Sequence, residues 1–142
     1  MSNKFLVRTA LLFITTLLVS GCEQIQHNRC ADRLTKHFSI LPDIGKEIDS
    51  PQAAKRVFKQ IASVVSTVNL DGCNSQTQYA VRELYIASNE ITNSFSDENI
   101  LSAYVLGIFG AQEHSPLMQQ YKQSLKRVEQ AVNILHKNGV GI

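Results

Sequence analysis

From Cys30 onward, apolar residues recur at spacings of three and four, the pattern of an α-helix with one face turned to a core. Ala31, Leu34, Phe38 and Leu41 form the first such face, and Pro42 predicts its end, because the residue before a proline is pushed out of the helical conformation. After a loop through Gly45, Ser50-Pro51 supplies a cap and a first-turn proline. Ala54, Val57, Phe58, Ile61, Val65 and Val68 then continue at helical spacing, with Arg56, Lys59 and Ser63 opposite, to an end near Asn69 and an Asp71-Gly72 turn. Ser75-x-x-Gln78 fits a capping box for a third helix carrying Val81, Leu84, Ala87, Ile91 and Phe95 on one stripe. Beyond Asp97 and Glu98, both favourable in a first turn, residues 100–111 are nearly all apolar. Ser115-Pro116 repeats the cap-plus-proline start for the last helix, where Met118, Tyr121, Leu125, Val128, Val132 and Leu135 form a seam. His136-Lys137-Asn138-Gly139 closes it.

No stretch shows sustained period-two alternation or an Asn-Gly hairpin signal, so a sheet of any size is not expected. Four or five amphipathic segments with short connections predict an all-α antiparallel bundle. A chain of 142 residues with 44% hydrophobic and 18% charged residues has the composition of one globular domain, which excludes wholesale disorder. Seven Gly, three Pro and no internal repeat exclude a linker-like polymer.

The first 22 residues follow a different rule. Lys4 and Arg8 make a short positive start, and residues 9–19 are apolar except for three threonines. That layout is a secretory signal, and the run is too short for a permanent span, which needs about 20 apolar residues. Leu18-Val19-Ser20-Gly21-Cys22 resembles the lipobox of bacterial lipoproteins, where small residues precede a cysteine that is acylated before the peptide bond ahead of it is cut. The resemblance covers residues 1–22, with Val19 standing where Leu is commonest. It implies a cleaved signal over 1–21 and two or three acyl chains on Cys22, an effectively stable membrane anchor. Glu23 occupies the position where Asp is the inner-membrane retention signal of enteric bacteria, so the similarity favours the outer membrane, facing the periplasm.

Export changes the reading of charge and cysteine. The chain carries +2, and setting aside Lys4 and Arg8, which precede Cys22, leaves 12 basic against 12 acidic residues. Neutrality argues against a nucleic-acid partner or an electrostatic membrane switch. Cys30 and Cys73 remain as an even pair in an oxidising compartment and are expected to be bonded, stapling the bundle. A hairpin of the first two helices would bring the start of one beside the end of the other, which suits that bond. The absence of C-x-x-C makes the bond structural rather than catalytic. Residues 22–29, mostly polar, are expected to form a lipidated tether, and residues 30–142 the helical domain.

Little in the domain speaks of catalysis. His27, His37, His114 and His136 lack H-x-x-x-H spacing, and Glu-x-x-His does not occur, so neither a metal site nor a cofactor is expected. Glu83 and Glu90, seven apart, share a helix face and suggest an acid and base pair, although solvated carboxylates are the plainer reading. Nucleophile-elbow, phosphate-loop and dinucleotide motifs are missing. In residues 103–111, Tyr104, Leu106 and Phe109 are candidate anchors for a partner if one side is open, although a central buried helix would show the same pattern. Gln119, Gln120, Lys122, Gln123, Lys126 and Arg127 are expected on the wet face of the last helix.

These features point to a non-catalytic, lipid-anchored envelope protein that binds another envelope protein or assists its assembly. In size and layout the chain resembles the small helical pilotins that chaperone secretin subunits to the outer membrane, and no pilotin motif is carried across. The alternatives are an immunity, exclusion or inhibitor lipoprotein, and a small-ligand binder or an enzyme acting on peptidoglycan or lipid.

Overall fold

The computed structural model describes residues 24–42, 50–95 and 116–142. They form four helices packed antiparallel, and no strand occurs among the described residues. We label them α1 (24–38), α2 (Pro51–Ser66), α3 (Ser75–Ser94) and α4 (Pro116–Lys137).

Helix α1 buries Cys30, Ala31, Leu34 and Phe38, the face read from their spacing. It also reaches back through positions 24–29, the stretch expected to be a tether. Nothing there resists helix formation, since glutamine and arginine are good helix formers and no Gly or Pro intervenes. At the other end α1 stops at Phe38, earlier than Leu41. The Leu41 amide donates to the Phe38 carbonyl at 2.9 Å, a tight turn that leaves Leu41 half-buried against the core.

Helix α2 starts as its cap predicts, with Ser50 Oγ accepting from the Ala53 amide at 3.2 Å. It ends at Ser66 rather than near Asn69, because the Val64 carbonyl is taken by Thr67 Oγ1 at 2.9 Å and by the ring of His37 at 3.0 Å. Asn69 Oδ1 accepts from the Asp71 amide, and Gly72, at φ 72°, makes the left-handed turn that glycine permits.

The cap of α3 is Asn74 rather than Ser75. Its Oδ1 accepts from the Thr77 amide at 2.8 Å, while Gln78 Nε2 donates back to the Cys73 carbonyl. Helix α3 is the central element, flanked by α2 and α4. Its buried face, Ala80, Val81, Leu84, Ala87 and Ile91, meets Val57, Phe58, Ile61 and Val65 of α2 and Val128, Ala131 and Leu135 of α4 in one core.

The buried strip of α4 runs through Ser124, Val128, Ala131 and Leu135, and the expected seam residues Tyr121, Leu125 and Val132 flank it, half-buried. Small side chains at 124 and 131 let two helices approach closely, which a search for large apolar residues overlooks. Phe95 closes the far end of α3 edge-to-face on Tyr121, with centroids 5.3 Å apart. At the near end α4 finishes in a Schellman motif: Gly139, at φ 78°, donates to His136 O, and buried Val140 donates to Leu135 O. The tail then runs beside α1, where the Gly141 amide donates to Thr35 Oγ1 at 2.8 Å.

Candidate functional site

Cys22 and the trio Tyr104, Leu106 and Phe109 lie outside the described residues, as does His114. Cys30 and Cys73 are joined, with Cα atoms 5.2 Å apart, and both are buried. The bond ties α1 to the segment that caps α3. Arg33 reinforces the tie, its Nη2 donating to the Asp71 carbonyl at 2.5 Å and lying 3.9 Å from Cys73 Sγ.

The three described histidines serve different joints. His27 Nδ1 faces the amide of Asn74 at 3.4 Å, and the same amide donates to Asn138 Oδ1 at 2.8 Å, drawing α1, α3 and α4 together at one end. His37 faces Val64 O and Thr67 Oγ1, and because a carbonyl can only accept, Nε2 carries the proton there. His136 Nε2 lies 3.4 Å from the Ile142 carbonyl. Among the described residues no group of three His, Cys, Asp or Glu side chains could hold a metal ion.

Glu83 and Glu90 do share a face, but their partner is Arg127, assigned to the wet side from the sequence. Arg127 reaches Glu83 Oε2 at 2.9 Å and Glu90 Oε2 at 2.6 Å, with side-chain exposures of 34%, 20% and 37% for Arg127, Glu83 and Glu90. Ser124 Oγ adds a hydrogen bond to Glu90 Oε2 at 2.8 Å. Burial by itself would raise the Glu90 carboxyl, but the hydrogen bonds from Arg127 and Ser124, with the Arg127 charge, hold it below its ordinary value. Hydrogen bonds to Glu90 and then Glu83 raise the Arg127 guanidinium in turn. A carboxylate held ionised against a permanent cation is a poor general acid, so the arrangement clasps α3 to α4 rather than serving proton transfer. Spacing carried the signal, since Ser124 and Arg127 are three apart on one helix and Glu83 and Glu90 seven apart on the other.

An open groove of about 560 Å³ lies where Phe38, Leu41 and Pro42 approach Ile61, Leu84 and Val132. All four helices contribute, and Gly141 and Ile142 form one rim. Its hydroxyls already have partners: Thr35 Oγ1 accepts from Gly141 N, and Ser39 Oγ donates to Lys36 O. Such a lining suits apolar groups and offers little to orient a reacting substrate. Smaller depressions along α3 and α4 centre on exposed Tyr79, with Ile134 and Lys137.

Charge is unevenly distributed. The described residues hold eleven Lys and Arg against five Asp and Glu, whereas the chain as a whole carries 14 against 12. No family model, curated protein or solved structure matches the chain.

Proposed function

We propose that this chain is a lipid-anchored protein of the bacterial cell envelope, facing the periplasm, that acts by binding another envelope protein rather than by catalysis. One observation carries the reading: a positive start, an apolar run, small residues and Cys22 fall in the order that lipoprotein processing requires. The disulfide is consistent with an oxidising compartment. The open groove favours protein binding over enzymology. It is apolar, its hydroxyls are engaged, and the two carboxylates nearest to a catalytic pair are both bound by Arg127.

The test is cross-linking of the full-length acylated protein in its native envelope, with captured species identified by mass spectrometry against a Cys22→Ala control. A recurrent envelope partner lost in the control supports the proposal. Capture of no protein above the control, with a small apolar molecule or a cell-wall fragment co-purifying, overturns it. Deleting the gene then separates the two binding roles: failed assembly marks an accessory, and lost protection against an incoming toxin or conjugation machine marks an immunity or exclusion lipoprotein.

A further inference from the structure

Helix α1 is already formed at position 24, so Glu23 is all that separates it from Cys22. Two residues at full extension span about 7 Å. Nor is the start of α1 free to swing on the bundle. The disulfide fixes it at Cys30, His27 faces the Asn74 amide, and Gln26 lies beside Gly72, where an added Cβ would meet its Cβ and O at an ordinary contact distance of 3.9 Å. A lipid anchor on Cys22 therefore holds a rigid body by one end.

We propose that this end of the bundle, formed by the start of α1, the Asp71-Gly72 turn and the end of α4, is a membrane-docking surface that lies on the bilayer carrying the anchor. The inference rests on the acylation of Cys22 proposed above. Ile25 marks the surface. It is 53% exposed, on the side of α1 away from buried Cys30, Ala31 and Leu34. A large apolar residue in water next to an acylation point loses its hydration cost by entering the interface. Exposed Arg29 follows one turn later on the same side, where its stem can lie along the acyl region while the guanidinium stays among headgroups.

Charge supports the same direction. This end balances exposed Arg29, Arg33 and Lys137 against exposed Asp32 and Asp71, with Glu23 next to it in the chain. Residues 96–115, which join the opposite ends of α3 and α4, carry Asp97, Glu98 and Glu113 and no Lys or Arg. An anionic bilayer repels the acidic residues joined to the other end, while the first end brings cationic side chains that offset its carboxylates. The helix ends at Phe95 and Pro116 then stand about 30 Å from the membrane, the length of α3 at 1.5 Å per residue. Segment 100–111, with its candidate partner anchors, is attached on that side.

The test uses the acylated, disulfide-bonded full chain in vesicles of phosphatidylethanolamine and phosphatidylglycerol at a ratio of about three to one, a surface anionic enough to draw cationic side chains. A photoreactive amino acid replaces Ile25, Lys137 or Gln120 in turn, and lipid adducts are quantified by mass spectrometry. Gln120 lies on α4 roughly 25 Å beyond Lys137 and reports the far end. We expect at least tenfold more lipid adduct at 25, and several-fold more at 137, than at 120. Inserting about a dozen Gly and Ser residues between Glu23 and Gln24 gives a flexible link of roughly 20 Å. It should bring the adduct at 137 down to the level at 120 while vesicle flotation is unchanged. Equal adduct at 137 and 120 in a protein that is acylated and floats with the vesicles overturns the docking and leaves the anchor intact. A protein without acyl mass that fails to float overturns both.

Discussion

Replacing both Cys30 and Cys73 with alanine removes the covalent tie between α1 and the start of α3, and its cost follows from the loop it closes. The cysteines are 43 residues apart, and cross-linking a loop of that length lowers the entropy of the unfolded chain by the equivalent of about 4 kcal/mol. Truncating two buried side chains adds of the order of 1 kcal/mol in lost packing. The expected loss of about 5 kcal/mol compares with a total of about 5–15 kcal/mol for an ordinary domain, so the double variant should be close to unfolding. Tm should fall by about 20 °C, at about 4 °C per kcal/mol for a domain of this size. The assay is urea unfolding followed by far-ultraviolet circular dichroism, in a Cys22→Ala background that keeps the third cysteine out of disulfide exchange. The urea slope m should also rise, because an unlinked unfolded chain exposes more surface. A loss below about 1.5 kcal/mol with an unchanged m would mean that residual structure already constrains the unfolded chain, and the loop-entropy argument would be refuted.

Three further outcomes are expected. Ser88 Oγ is buried without a hydrogen-bond partner among the described residues, so Ser88→Ala should raise stability by about 1 kcal/mol in the same urea assay; a loss would reveal a partner for the hydroxyl. The Glu90 carboxyl is held below its ordinary value of 4.5, so its contribution to stability is fully present above pH 4.5 and is lost as pH falls through the folded value. Glu90→Gln should therefore be less stable than wild type at neutral pH, with the gap narrowing as pH falls below 4.5; a gap that does not change with pH would count against the clasp. Gly139→Ala places a Cβ at φ 78° and should cost about 1–2 kcal/mol, whereas Asn, which tolerates that region, should cost less in thermal melts.

The helices were legible because each carries its own local signals. Ser50-Pro51 starts α2, Asp71-Gly72 turns the chain, and Gly139 ends α4, all through backbone chemistry that needs no tertiary partner. The disulfide was legible from the even pair of cysteines left once residues 1–22 are read as resembling a lipoprotein signal. The ends of α1 and α2 were less so, because they depend on Leu41 turning into the core and on His37 taking the Val64 carbonyl. Those are contacts between segments distant in sequence. Of the candidate site residues, Cys30 and Cys73 come together as expected, while Cys22, Tyr104, Leu106 and Phe109 lie outside the described residues.

Sequence alone determined the helical class, the inward faces of α1, α2 and α3 and the cysteine pair, since periodicity, caps and cysteine count are properties of one strand of text. Tertiary structure decided what those faces meet. Arg127 sits in a polar pattern along α4, and only the approach of α3 places two carboxylates beside it. The groove exists because four helices and the C-terminal tail leave space between them. The rigid link between position 24 and the bundle exists because Gln26, His27 and Cys30 meet residues 72–74. Periodicity fixes the direction a side chain takes from its own helix, but which neighbour it reaches depends on how the helices are assembled.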